Sequence, residues 1–443
     1  MQSKNLFTQK KPEEIDYDLK NIQTLDKLCD YLDLTTPNNS DGKNFGRLYS
    51  QIHPAARKGR IKAVELNAAG NTLSAFPALA VIEKNIISML LNQFGMIGGG
   101  TVVPGGSYAN AMAIFMALTK RFPDFLTTGI QTKPVKILVS ENSHYSITKS
   151  ALFMSLGVSS MVKIKTDHQG QMSIRHIQQV LDESEAENVN VVAIFSTAGA
   201  TIGGQFDNVQ EINQCIQGRN IYHHVDASWG GAAVFGKKKN LFQGMSNVDS
   251  LTFDAHKALG AGLTNAYFLT TRPKLLRKAN DCNVSYIAKE RPEYDEYNLI
   301  NTNQSCGRDA GSLGFYFMYK ELGVDGLSGL MNHLYDIYET AEDIFSKAAD
   351  IQILKKHYLN ICIQIVSANE TITSSELTEQ IFYRIEKESD FKIAKGYWKG
   401  TFVLRFVAVN PNTTQGDLND FVDYLSQLKS EISNRRILKH KVT

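Results

Sequence analysis

Four short β-branched runs in this chain are each followed by side chains able to do chemistry. After Val135–Val139 come Ser140, Glu141 and, four residues on from Ser140, His144. After Val189–Phe195 comes Thr197, and Ile221–Val225 ends at Asp226 with Ser228 close behind. Leu251–Phe253 is followed by Asp254, His256 and Lys257. In an open parallel sheet, ligands bind beyond the carboxyl ends of the strands. Two histidines, a lysine, two aspartates and a threonine are therefore expected along one edge. Upstream, the turn Pro104–Ser107 carries Gly105 and Gly106 and precedes an amphipathic stretch, Tyr108–Arg121. Glycine admits close approach to the backbone, and the first amides of a helix lack internal partners, so this turn suits a phosphate. Neither GxxxxGK[ST] nor a complete GxGxxG is present, which disfavours an ATP or nicotinamide site.

The elements that must position these residues follow from periodicity. From about residue 75, β-branched runs alternate with amphipathic stretches such as Ile174–Leu181 and Val209–Ile216. This spacing predicts βαβ units and an α/β fold with a large, mainly parallel sheet. Helical pattern dominates Gly311–Ala349. Beyond it, Ile361–Val366, Glu376–Lys387, Phe391–Ala394, Phe402–Val409 and Gln415–Leu428 read as a smaller α+β domain. The expected division is a segment 1–74, a large domain 75–330 and a C-terminal domain 331–443.

Composition narrows the class. The 443 residues are 43% hydrophobic and 21% charged, with 47 basic and 45 acidic side chains, so no global field favours nucleic acid or an anionic membrane. The longest apolar runs, such as Val191–Phe195, are too short to span a bilayer, and Met1–Lys20 has no apolar signal-peptide core. Five scattered cysteines without a CxxC pair argue against a disulfide framework or zinc ribbon and favour a reducing, cytoplasmic setting. His223 and His224, adjacent on one strand, point to opposite faces, and no HxxH or HxxxH pair occurs, so no metal is expected.

Taken singly, an Asp ending a strand usually caps a turn and a Lys after a strand is usually solvated. A lysine after a strand, an aspartate on the preceding strand, an upstream histidine and a Gly-Ser turn together point to pyridoxal 5′-phosphate. In that order, the chain resembles the group II pyridoxal-phosphate-dependent amino-acid decarboxylases, of the aspartate-aminotransferase-like fold (type I). It is most similar to the glutamate and cysteine-sulfinate branch. The likeness runs through Pro104–Asn110, Ser140–Ile147, Thr197–Thr201, His224–Gly231, Asp249–Lys257, Gln304–Arg308 and Leu404–Pro411.

That resemblance implies the following roles. Lys257 would hold the cofactor covalently, Asp226 would pair with the pyridine nitrogen, His144 would stack on the ring, and Thr197 would approach the ring hydroxyl. Gly106 and Ser107 would bind phosphate, with His256 nearby. Arg405 would take a substrate carboxylate, its planar fork being suited to one. Tyr294, in the tyrosine-rich loop Ser285–Asn303, would be the acid that protonates product, with Tyr297 as the other choice. A homodimer with shared active sites is implied, with Arg47–Asn67, Phe76 and Pro77 reaching across. An acidic substrate (glutamate, aspartate or cysteine sulfinate) is favoured, with aromatic or diamino-acid decarboxylation or another carbon–carbon lysis as alternatives. Two positions depart from the branch. Asp254 stands where Asn is usual, and Ser228 stands where Ala is common beneath the ring.

Overall fold

The computed structural model describes residues 24–130, 134–281, 296–367 and 372–440, with side chains as far as 434. In chain order the elements begin with α1 (Leu25–Thr35), α2 (Pro54–Leu66), α3 (Pro77–Phe94), β1 (Gly99–Val103), α4 (Gly106–Arg121), α5 (Phe125–Thr128), β2 (Val135–Ser140) and α6 (Ser146–Phe153). Then come β3 (Met161–Ile164), α7 (Ile174–Ala186), β4 (Asn190–Thr197), α8 (Val209–Cys215), β5 (Tyr222–Ala227), β6 (Ser250–Asp254), β7 (Ala266–Thr270) and α9 (Pro273–Asn280). The C-terminal part holds α10 (Ser312–Lys347), β8 (Ile351–His357), β9 (Asn360–Ile365), α11 (Ser374–Glu388), β10 (Ala394–Trp398), β11 (Thr401–Val407) and α12 (Gln415–His440).

Two compact units result. The larger comprises residues 52–335 and 356–359. Its seven-stranded sheet has the order β1-β7-β6-β5-β4-β2-β3, with β3, β2, β4, β5 and β6 parallel and the β6–β7 and β7–β1 pairs antiparallel. Alternation along the strands explains their nearly unbroken apolar runs. Ile137 and Val139 of β2 and Phe195 of β4 pack against α4 residues such as Ala113 and Ala117. Leu138 and Ile194, one residue out of phase, pack with Ile177, Leu181 and Ile212 of α7 and α8. Burial on both faces requires such runs. β7 turns back against β6 because only the short segment 255–265 joins them, and that segment carries His256 and Lys257.

The smaller unit comprises the described residues among 24–51, 336–355 and 360–440. Its sheet has the order β10-β11-β9-β8. The segment expected as 1–74 is thus divided. Phe45 is fully buried among Phe391, Phe406 and Phe421 of the smaller unit. α2, by contrast, packs so closely on the larger unit that a Cβ on Gly59 would stand 2.3 Å from the Leu313 carbonyl oxygen. β8 was not expected, since Lys355, Lys356 and His357 mask its apolar pattern. β10 begins three residues later than the run Phe391–Ala394 suggests.

Candidate active site

β4, β5 and β6 bring their carboxyl ends into register, with Thr197 opposite Asp226 and Asp226 opposite Thr252. Asp226 is buried. It accepts from Asn110 Nδ2 at 2.9 Å and from the Ser228 amide at 3.1 Å. Burial alone would raise its carboxyl; the charge of Lys257 and the Asn110 and Ser228 side chains outweigh that and hold it below the usual carboxylate range. Lys257 Nζ lies 3.1 Å from Asp254 Oδ2, and His256 Nε2 lies 3.7 Å from the same oxygen. His144 feels Asp226, Lys257 and Asp254 electrostatically, and burial lowers its imidazole below the ordinary range.

Gly106, the first residue of α4, faces this group. A Cβ there would stand 2.2 Å from Ser228 Oγ and 3.1 Å from Asp254 Oδ2, so only glycine fits. Gly199, just after β4, has φ +89° and comes so near Gly230 that a Cβ would be 2.6 Å from its amide nitrogen. Ser228 Oγ, Thr197 Oγ1 and Asp254 Oδ1 are buried without a hydrogen-bond partner. Buried polar atoms are ordinarily satisfied, so these three mark a place where polar groups of another molecule belong. The Thr197 amide is held by Asp207 Oδ2 at 2.7 Å, and Asp207 Oδ1 accepts from the Met172 amide at 2.7 Å.

The structure thus gathers Lys257, Asp226, His144, Asp254, His256, Ser228, Thr197 and Gly106. Ser107, next on α4, has an exposed side chain. Phe76 caps α3 and packs on Ala63, Leu79, Ala310 and Leu313. Arg405 belongs to the smaller unit, where it is buried and donates to the Gly46 carbonyl at 2.7 Å; burial pushes its guanidinium down. Tyr294 lies outside the described residues. Tyr297 lies under Lys84, whose Nζ is 3.9 Å from the ring centroid. Sequence reasoning assigned nothing to Asn110, Ser146 or His224, which bridge the cluster from behind. Asn110 follows Gly106 by four residues, one helical turn, which places it on the same face of α4 but does not encode its partner.

The pyridoxal-dependent decarboxylase conserved domain matches residues 23–366. The chain belongs to the pyridoxal-dependent decarboxylase family. It is an amino-acid-decarboxylating enzyme whose cofactor is pyridoxal phosphate. Among curated relatives, it is 27% identical to the cysteine sulfinic acid decarboxylase of Homo sapiens over 409 residues, 88% of this chain and 82% of the relative. It is 27% identical to the acidic amino acid decarboxylase GADL1 of Xenopus tropicalis over 425 residues, 92% of this chain and 83% of that one. The crystal structure of mouse CSAD superposes with a TM-score of 0.87 at 24% identity, covering 95% of this chain and 92% of that one, which establishes the common fold. The residues present suit this family's cofactor: a buried anionic carboxylate, a lysine, an imidazole, and the unsatisfied Ser228 Oγ facing the start of a helix. Among the described residues no helix is long and apolar enough to cross a membrane, and no cluster of His, Cys, Asp and Glu is placed to hold a metal ion.

Proposed function

We propose that this decarboxylase removes the α-carboxylate of an acidic L-amino acid, with aspartate, glutamate and cysteine sulfinate as the candidate substrates. The observation that carries the reading is the family match across residues 23–366, taken with Lys257, Asp226 and His144 within electrostatic reach of one another. The acidic preference is supported by the names of the relatives, which act on cysteine sulfinic acid and acidic amino acids.

Pyridoxal phosphate, when bound, supplies an electron sink for the pair left behind as carbon dioxide departs. The chain's own residues do the rest. Lys257 is the proposed point of covalent attachment. Asp226, held anionic, is the proposed partner that keeps a proton on the pyridine nitrogen. His144 is assigned to the ring face, Thr197 to the ring hydroxyl, and Gly106 and Ser107 to the phosphate, with Ser228, Asp254 and His256 beside them. Arg405 is assigned to a substrate carboxylate. Tyr294 is assigned to proton delivery at the carbon that loses carbon dioxide, and Tyr294→Phe should slow amine formation and favour abortive transamination. The working form is proposed as a cytoplasmic homodimer with shared sites, Phe76 and the segment 47–67 contributing across the interface. Sedimentation of an active monomer would contradict that assembly.

The purified protein should be yellow and should release carbon dioxide fastest from an acidic amino acid in a screen of the standard set plus cysteine sulfinate and diaminobutyrate. Colour without gas from any of them would overturn the reading. Preference for an aromatic or diamino acid would overturn its substrate class.

A further inference from the structure

Behind His144 and Asp226 runs a chain of hydrogen bonds whose donors and acceptors can be assigned from chemistry alone. Asp226 is an anionic carboxylate and can only accept, so the Asn110 atom 2.9 Å away must be the amide nitrogen. The same nitrogen points its second hydrogen at Ser146 Oγ, 3.0 Å away. After accepting there, the Ser146 hydroxyl keeps one lone pair and its hydrogen, and it lies 2.8 Å from His144 Nδ1. The Ser146 amide also points at that nitrogen, at 3.4 Å. That amide can only donate, so Nδ1 presents its lone pair there and the Ser146 hydroxyl donates to the same atom.

The far side of Asn110 is equally constrained. Asn110 Oδ1, which can only accept, lies 3.2 Å from His224 Nε2, and Thr252 Oγ1 lies 3.0 Å from the same nitrogen, so a proton on Nε2 serves both oxygens. His224 Nδ1, left with a lone pair, then accepts from Ser250 Oγ at 2.7 Å. His224 is fully buried, and burial keeps its ring neutral, which this arrangement requires. Asn110 therefore has no freedom to flip, and Ser146 none to reverse.

We infer that Asn110 and Ser146 are positioning residues that lock His144 in the tautomer protonated at Nε2, coupling its hydrogen position to the charge on Asp226. In this state His144 enters the site as a hydrogen-bond donor at Nε2. It has no lone pair there with which to take a proton from substrate. The assignment deepens the proposed role of His144 and rests on that role only for its functional meaning. The hydrogen positions follow from the geometry, whatever amino acid is decarboxylated.

The test is ¹⁵N NMR of the full chain labelled at histidine, with and without added pyridoxal phosphate, the His144 signals being assigned by their loss in His144→Gln. At pH values where the ring is neutral, Nδ1 should resonate as an unprotonated nitrogen and Nε2 as a protonated one. Ser146→Ala should move both resonances toward each other as the second tautomer becomes populated, and Ser146→Thr, which keeps the hydroxyl, should restore the original shifts. Asn110→Leu should act in the same direction as Ser146→Ala. A wild-type protein with its proton on Nδ1 overturns the inference, and so does a Ser146→Ala spectrum identical to wild type. If the variants do not fold, the wild-type spectrum alone decides. Absence of decarboxylation would sink the functional reading and leave these shifts unmoved, so the two failures are distinguishable.

Discussion

Lys257 Nζ lies 3.1 Å from Asp254 Oδ2, three residues before it, nearer than His256 Nε2 at 3.7 Å, against a carboxylate that is otherwise buried. That carboxylate also faces the first residue of α4, the proposed phosphate seat. An anion beside a phosphate is repelled where an amide is not. Asp254→Asn is therefore expected to tighten pyridoxal phosphate binding by roughly threefold to tenfold, about 1 kcal/mol. Fluorescence titration measures this. Weaker binding would mean that the carboxylate serves the site chiefly by holding Lys257.

Gly106 tests the same seat sterically. Gly106→Ala places a Cβ 2.2 Å from Ser228 Oγ, and α4 must shift to relieve it. The dissociation constant for pyridoxal phosphate should rise about tenfold or more, some 1.4 kcal/mol. Adding Ser228→Ala removes the nearer obstacle but leaves the residue 228 Cβ at 3.0 Å, so the double variant should recover part of the loss. Equal affinity in wild type and Gly106→Ala would remove Gly106 from the cofactor site.

Glu83 and Arg308 form a buried pair. Arg308 Nη2 donates to the two carboxylate oxygens at 3.0 and 2.7 Å, Nη1 donates to the Gly70 carbonyl at 2.7 Å, and Ser312 Oγ donates to Glu83 at 3.0 Å. Glu83→Gln leaves the guanidinium buried without its counter-charge, a change that costs about 3–5 kcal/mol. Urea denaturation reads this as a lower midpoint at unchanged slope. A loss under about 1 kcal/mol would show that water reaches the pair.

Asp207 is a buried carboxyl pushed up to about 7 by burial, against the opposing pull of the Thr197 and Met172 amides. Between its unfolded value near 3.8 and about 7, the folded chain holds a proton that the unfolded chain has lost. Its contribution to stability is thus fully present below pH 3.8 and declines as pH rises toward 7, by about 4 kcal/mol in total. Asp207→Asn lacks this slope, so the difference in melting temperature between wild type and variant should shrink from pH 4 to pH 7. A constant difference across that range would mean Asp207 ionises normally.

Much of this was legible in the sequence because the chemistry falls where strand period ends. Asp226, Asp254 and Thr197 each close an apolar run, and Lys257 follows within three residues, so the pattern that identifies the strands also identifies the edge. β1 was not legible because glycines at 99 and 100 interrupt its apolar pattern; its place in the sheet comes from pairing with β7. Asn110, Ser146 and His224 were not legible either. Their roles depend on which side chains meet behind the sheet edge, and no local spacing encodes a contact between residues 110 and 226. The same holds for Glu83 and Arg308, 225 residues apart.

Lys257 as the attachment point carries every other role proposed for the site. Borohydride reduction of the yellow protein followed by proteolysis and peptide mass mapping should find the pyridoxyl group on Lys257, and Lys257→Ala should lose both the colour and carbon dioxide release, the latter by on the order of 10³-fold or more. A pyridoxyl label on any other lysine, or full activity in Lys257→Ala, would contradict the account.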